Sequence, residues 1–464
     1  MSDNLPPVHF LSLGCFRNTV DSEGMLRALV REGFALTDVP EEAGVLVVNT
    51  CGFIDLAKQE SIDTILELSL LKQRGRAQLI AVVGCLVERY RGELERLLPE
   101  VDVFLDLREE SSIGRIVKEK LGAAAGAPAA QAPGRMQAAG PARGRDPGRI
   151  PLTPPHLAFL KIAEGCSRHC TFCTIPSIRG VFSARDAEEI VREARFLESS
   201  GVKELNIISQ DTVSYRDEEG RGLVTLVSRL LSGTGIPWIR LLYLHPSGLD
   251  EDLMDLLSRE ERLLGYVDVP IQHAATRILR RMRRGMEKGD IERLVRRLKE
   301  RVPGLTLRTT VLVGFPGETE EDFTELLAFL EATRFDRLGA FGFSCEEGTP
   351  AARLPGQVPE EVKAWRQAEV LDLQRRISHE ECRKRVGEVT TVLVDGRTAV
   401  DDLSAGADPD PFPQSRPGYI ARSRREAYDV DGVVYLAGNF TPSEFTKVRI
   451  VDAADYDLLG IPAG

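Results

Sequence analysis

Six strand-like apolar runs, beginning near Leu157, Glu204, Trp238, Tyr266, Thr306 and Arg337, alternate with helix-forming stretches. Strands separated by helices pair most simply in parallel, so the pattern predicts a partial (β/α)6 barrel with its working groups at the carboxyl ends of the strands. A shorter alternation precedes it. Three runs, HFLSLG, GVLVVNT and QLIAVVG, each lead to a cysteine (Cys15, Cys51, Cys85) and then to helix-forming sequence. A parallel-sheet α/β domain carries such strand-end cysteines to one common rim. Asp21 is expected to cap a helix there, with Met25, Leu26, Leu29 and Val30 on one face. Beyond Val386 the helical pattern gives way to VTTVLV, GVVYL and KVRIV, the mark of a small β-rich unit.

From 121 to 150, Ala, Gly and Pro displace the apolar periodicity, as in a flexible linker. The reading is therefore α/β: an amino-terminal parallel-sheet domain at 1–121, a linker at 122–150, a barrel at 151–385 and a small β-rich unit at 386–464. A length of 464 residues suits about three domains at roughly 150 residues each. No run approaches the ~20 apolar residues of a membrane helix, and MSDNLPPVHF lacks the basic start and apolar core of a secretory signal. A cytoplasmic protein with no membrane partner is expected. The net charge of −11 supplies no global field for nucleic acid.

Eight cysteines are too few to staple a chain of this size, so ligation is the better question to ask of them. Cys166, Cys170 and Cys173 follow the spacing C-x3-C-x2-C, which can wrap three thiolates around an iron–sulfur cube and leave its fourth iron open. Zinc is the alternative for either triad, although structural zinc sites normally close with four protein ligands. His169 is given no role. Cys345 reads as a small packing residue and Cys382 as a structural one on a helix. At the barrel's strand ends stand Gln210 with Asp211, His245, Gln272 with His273, and the run Gly314 to Glu318. Gly314 and Gly317 suit either close backbone approach to a ligand or a plain tight turn, and Thr319 can cap the helix that follows.

The three-cysteine loop, with Phe172 before its last cysteine, resembles that of the radical S-adenosylmethionine enzymes. Both triads together resemble, more narrowly, the methylthiotransferases. Leu13-Gly14-Cys15 with Asn18 and Asp21-Ser22-Glu23, Asn49 to Ile54, and Gly84-Cys85 carry that likeness, and TKVRIVDAADYDLLG looks like the family's TRAM barrel. The resemblance implies S-adenosylmethionine and two [4Fe-4S] clusters: a radical cluster on Cys166, Cys170 and Cys173, and an auxiliary cluster on Cys15, Cys51 and Cys85. It also makes Phe172, Gln210, Gln272, Gly314 and Gly317 candidates for cofactor contact. The implied reaction uses an external electron donor to cleave S-adenosylmethionine, removes hydrogen from carbon, and adds a methylthio group assembled at the auxiliary cluster.

Asn49 to Asp55, Tyr266 to His273 and Ser344 to Thr349 look like the branch acting on an aspartate of small-subunit ribosomal protein twelve, free or on the ribosome. From Val386 to Gly464 there are 13 acidic and 7 basic side chains, a charge of −6 suited to a basic protein partner. Against this, Thr276 to Arg301 holds 11 basic and 4 acidic residues, a stripe fit for incidental ribosomal RNA contact. Two alternatives stay open: methylthiolation of a transfer RNA adenosine, and a non-catalytic iron–sulfur or zinc scaffold docking on ribosomes. The chain departs from the branch's pattern at Phe16-Arg17, at Cys345 and in the length of its linker.

Overall fold

A computed structural model describes residues 5–124, 148–398, 411–412, 414–415 and 417–463. Most of the 122–150 linker assigned from sequence lies outside the described residues. The chain forms two compact units: Met1–Leu152 with Glu164–Ser167 and Thr174–Ser183, and Thr153–Ala163 with Arg168–Cys173 and Ala184–Gly464.

The first unit is a parallel sheet of four strands, β1 (Val8–Ser12), β2 (Val45–Thr50), β3 (Leu79–Gly84) and β4 (Val103–Leu105), paired in that order. Only three strands are legible in the sequence, because β4 is too short to show a period. Helices α1 (Phe16–Arg31), α2 (Asp55–Gln73), α3 (Cys85–Leu97) and α4 (Ile113–Ala124) cover both faces. Every residue of β2 and β3 is therefore buried, as a parallel sheet covered on two sides requires. Val45, Val47, Leu79 and Ala81 pack with Met25, Leu29, Ile113 and Val117. The alternate set, Leu46, Val48, Ile80 and Val82, packs with Ile65, Leu68, Leu86 and Val87.

Two local expectations are corrected here. α1 begins at Phe16 with Cys15 at its cap, so Asp21 lies inside the helix and caps nothing. Its carboxylate is engaged by an arginine instead. Val30 is 39% exposed, which narrows the buried face to Met25, Leu26 and Leu29.

The second unit holds six parallel strands whose spatial order follows the chain: β5 (Leu157–Lys161), β6 (Glu204–Ile208), β7 (Trp238–Leu241), β8 (Leu263–Asp268), β9 (Thr306–Val313) and β10 (Arg337–Gly342). Between and after them run α5 (Ala187–Ser199), α6 (Leu223–Gly233), α7 (Glu251–Arg259), α8 (Thr276–Arg281), α9 (Lys288–Arg301), α10 (Glu320–Thr333) and α11 (Glu360–Lys384). Leu205, Ile207 and Leu241 meet Ile190, Leu226, Leu253 and Leu326 in one core. Thr319 does cap α10, in a reciprocal box with Asp322.

A closed β-barrel ends the unit: β11 (Val389–Arg397), β12 (Tyr419–Ser423), β13 (Val434–Leu436), β14 (Phe445–Ala453) and β15 (Leu458–Pro462), in the order β11-β12-β13-β15-β14. Cys382, near the end of α11, is buried in its core beside Val392, Tyr419 and Ile450, as a structural thiol would be. Cys345 is exposed, so its reading as a packing residue is wrong. Buried ion pairs tie the small barrel to the strands. Glu204 accepts from Arg240 at 3.2 Å and Arg422 at 2.6 Å, Asp395 takes Arg422 at 2.8 Å and His156 at 2.9 Å, and Glu426 takes Arg385 at 2.7 Å and Arg337 at 3.3 Å. Tyr266 donates to Asp431 at 2.7 Å. Asp395, Glu426 and Asp431 thus face inward, and the acidic count of this region overstates what its surface offers a basic partner.

Candidate functional site

In the first unit, parallel pairing in register brings the ends of β1, β2 and β3 to one edge. Cys15 caps α1, Cys51 follows β2 directly, and Cys85 opens α3. The turns close tightly on one another. A Cβ on Gly14 would lie 2.8 Å from Cys51 Cβ and 3.1 Å from its Sγ, and one on Gly52 would lie 2.7 Å from the Cys85 carbonyl oxygen. Only glycine leaves room there.

Asn18 organises this edge. Its amide donates to the carbonyls of Leu13 and Thr50, at 3.0 Å each, so it holds the ends of the strands that lead to Cys15 and Cys51. Asn49 donates in turn to the Asn18 carbonyl at 3.1 Å and to Ser22 Oγ at 2.9 Å. The Arg179 guanidinium enters from the segment after the cysteine loop, which belongs to this unit. Arg179 Nε donates to Cys85 Sγ at 3.2 Å, Nη1 to Asp21 at 2.6 Å, and Nη2 to Asn18 Oδ1 at 2.5 Å.

Burial pushes the Cys85 thiol up to about 12 against the pull of Arg179, and Cys15 and Cys51 push it the same way. Burial likewise raises Cys51. For Cys15, burial is outweighed by Arg17, backbone donors and Arg179, and the thiol falls below its ordinary value. Cys15 raises both of the other thiols and Cys51 raises Cys85, so the three act on one another as close neighbours do. Arg17, at a position where the chain departs from the branch pattern, keeps a cation beside two of them.

Of the loop cysteines, Cys166 belongs to the first unit, where it is buried and its N–H donates to Gly180 at 3.1 Å. Cys170 and Cys173 belong to the second, joined by a Cys173 N–H to Cys170 carbonyl bond of 3.2 Å. Between them Thr171 is pinned: its hydroxyl donates to the Arg281 carbonyl at 2.9 Å and its N–H to that of Met282 at 3.1 Å. Arg284 donates to Cys170 Sγ at 3.4 Å and to the Pro270 carbonyl. His169 is exposed. Phe172 packs half-buried against Ala275, Ile278, Met282, Phe315, Phe343 and Ala351.

Gln210 follows β6, and the next residue, Asp211, accepts from Arg168 at 2.7 Å. Gln272 has a left-handed backbone, φ +72°, fixed by its N–H to the Thr310 carbonyl at 2.9 Å and its carbonyl from Leu312 at 2.7 Å. His273 is fully buried. Its Nδ1 accepts from the Ala275 N–H at 2.9 Å and its Nε2 lies 3.6 Å from Glu318, which also takes Arg366 at 2.9 Å. Gly314 and Gly317 have φ of +70° and +81°. What approaches them is protein: a Cβ would meet Lys363 at 2.3 Å and Arg281 at 3.0 Å. His245 is driven to about 2 by burial and then by Arg284 and Arg168, which keeps it neutral.

Leu205 and Ile207 point to the helices, so Asn206 points into the barrel. Both of its amide atoms are buried with no hydrogen-bond partner among the described residues. Sequence reasoning missed Asn206, Arg168, Arg179 and Arg284. For Asn206 the signal was available, a lone amide between apolar residues of a strand. The arginines were hidden because each reaches its cysteine or carboxylate across the fold. Among the described residues, no three His, Cys, Asp or Glu side chains converge to hold a single metal ion. A cluster needs no such convergence, since each of its irons takes its own thiolate.

Family models match in three places: the Radical SAM superfamily over residues 160–330, the uncharacterized protein family UPF0004 over 7–106, and the TRAM domain over 386–462. The ribosomal protein uS12 methylthiotransferase RimO of Geobacter sulfurreducens is 42% identical over 99% of this chain and 99% of its own length. That of Desulforudis audaxviator is 43% identical over 97% of this chain and 96% of its own. This chain belongs to that methylthiotransferase family. In fold, the family member described here is also similar to the radical S-adenosylmethionine methyltransferase TsrM of Kitasatospora setae, at TM-score 0.53 and 17% identity over 87% of this chain and 79% of that one.

Proposed function

We infer that this chain is a radical S-adenosylmethionine methylthiotransferase that modifies the β-carbon of an aspartate in ribosomal protein uS12. It uses S-adenosylmethionine and [4Fe-4S] clusters. Whole-length similarity to uS12 methylthiotransferases supports the substrate, and the transfer RNA alternative is not favoured. The observation that carries the reading is the strand-end triad, three thiols from three separate strands gathered about Asn18 and Arg179. Scattered buried cysteines would not stand at the ends of paired strands held by one Asn18–Arg179 brace.

Cys166, Cys170 and Cys173 are the proposed ligands of the radical cluster, and Cys15, Cys51 and Cys85 those of the auxiliary one. When bound, these groups supply radical generation at carbon and a sulfur source that no side chain can match. The chain's part is to hold and screen them. Arg284 and Thr171 fix the Cys170 loop, and Arg17 and Arg179 offset the charge of the strand-end thiolates. Phe172, Gln210 and Gln272 are proposed to contact S-adenosylmethionine directly. Gly314 and Gly317 act by letting Lys363 and Arg281 close on the turn, and Asn206 offers its amide to whatever enters the barrel. In the reading adopted, residues 1–121 handle sulfur, 151–385 the radical step and 386–464 the partner.

The electron donor is a separate one-electron reductant. A ribosomal substrate puts the enzyme in the cytoplasm, in keeping with described helices of which none is long and apolar enough to cross a membrane. Incidental ribosomal RNA contact falls to what remains of the 276–301 run, most of whose cations are already engaged within the chain, such as Arg277 with Asp322 and Lys288 with Glu325. The deciding experiment compares intact masses of ribosomal proteins and digests of transfer RNA from a deletion strain and its parent. Loss of the methylthio mass on uS12 is expected. A change confined to transfer RNA would overturn the assignment.

A further inference from the structure

Charge screening alone would not require an arginine to be buried at the strand-end triad, yet Arg179 is there with its side chain only 4% exposed. A buried guanidinium is costly unless each face of its fork is used. Here it is: Cys85 Sγ, Asp21 and Asn18 Oδ1 take its three nitrogens at 3.2, 2.6 and 2.5 Å, with Glu164 at 3.5 Å. Asp21 balances the charge. The bond to Asn18 reaches further, because the amide of Asn18 grips the carbonyls of Leu13 and Thr50. One side chain therefore touches the third cysteine directly and braces the stems of the other two.

We propose that Arg179 is a positioning residue of the auxiliary site, donating a hydrogen bond to the Cys85 sulfur and setting the reduction potential of the group held by Cys15, Cys51 and Cys85. This rests on the reading of those cysteines as cluster ligands. N–H donors and positive charge at a ligand sulfur stabilise the more negative, reduced state of an iron–sulfur group and so raise its potential. A merely structural ion pair with Asp21 would leave the potential alone, and that separates the two roles.

The test uses the full chain with Cys166, Cys170 and Cys173 replaced by alanine, reconstituted anaerobically with ferrous iron and sulfide. About four irons per chain are expected to bind. If this parent takes up none, the cluster reading itself fails, and with it the basis of the proposal. With iron bound, the potential is read by electron paramagnetic resonance during redox titration. Replacing the balanced pair, Arg179→Gln with Asp21→Asn, is expected to move the midpoint negative. At a fixed poise the reduced-to-oxidised ratio should fall about tenfold, equal to ~59 mV for a one-electron couple. Arg179→Lys keeps the charge and the Asp21 pair but loses the fork, so a smaller shift of the same sign is expected. It also preserves the test should the double variant fold poorly. Loss of iron from a variant with unchanged circular dichroism and melting supports the proposal, since the same bond retains the ligand sulfur. An unchanged midpoint in a folded, iron-loaded variant overturns it.

Discussion

The two cysteine triads reach their places by opposite routes. Cys166, Cys170 and Cys173 lie within one short loop, and the backbone between them does most of the gathering. Cys15, Cys51 and Cys85 are spread along the chain, and parallel strand pairing brings them to one edge. The loop triad therefore depends on local anchors such as Thr171 and Arg284, the other on a sheet, its glycine turns and the Asn18–Arg179 brace. What one obtains from spacing the other obtains from tertiary structure, so they should fail differently when disturbed.

The largest effect separates the triads outright. Cys170→Ala is expected to reduce both S-adenosylmethionine cleavage and uS12 methylthiolation to background, whereas Cys51→Ala should keep cleavage and lose only methylthiolation. Quantifying 5′-deoxyadenosine beside the substrate mass tests this, and full methylthiolation by Cys51→Ala would break the comparison.

Next comes the scaffold of the second unit. Burial alone would raise the Glu426 carboxyl, but Arg385, Arg337 and the Ser423 donors outweigh it and hold it down at about 2. Its folded pKa lies below the unfolded value of 4.5, so its contribution is full above pH 4.5 and is lost as pH falls through about 2. That contribution is on the order of 3 kcal/mol. Both tryptophans, Trp238 and Trp365, lie in this unit, so their fluorescence follows its unfolding alone. In iron-free protein, Glu426→Gln should weaken the unit at neutral pH and flatten its acid sensitivity below pH 4.5. An unaltered acid profile would mean that the buried pairs are not what acid breaks.

Third, Asn18→Ala should leave S-adenosylmethionine cleavage intact while lowering sulfur insertion about 10- to 100-fold, the usual cost of losing a group that orients metal ligands. Equal losses in both steps would show that the brace is not specific to the strand-end triad. The smallest effect is a control at the barrel rim. Gly348 has φ +81° but open space around it, so Gly348→Ala should cost only about 1 kcal/mol, from backbone strain alone. Gly84 has φ +104°, and its Cβ would sit 2.3 Å from Asn49 Oδ1 and 2.6 Å from the Thr50 carbonyl oxygen. Gly84→Ala should accordingly cost several times more, as chemical denaturation would show.

Much of this was open to inspection in the residues alone. Six alternating strands announced a parallel barrel because apolar periodicity is a local property, and Thr319 was legible as a cap because capping spans only a few residues. Asp21 misled for the same reason: it resembles a cap locally, but its partner, Arg179, comes from far along the chain. Gly314 and Gly317 read from sequence as suiting a ligand's close approach or a plain tight turn; that the side chains of Lys363 and Arg281 lie against them was beyond the sequence.

The amino-acid sequence by itself determined the alternation of strands and helices, the β-rich end and which thiols stand at strand ends, since each is written in short-range pattern. Only the tertiary structure decided that Arg179 braces the strand-end cysteines, that the Asn206 amide is buried with no partner among the described residues, and that acidic residues of the small barrel turn inward to arginines. Those outcomes depend on side chains brought together from distant parts of the chain, and such meetings are set by packing, of which linear order keeps no trace.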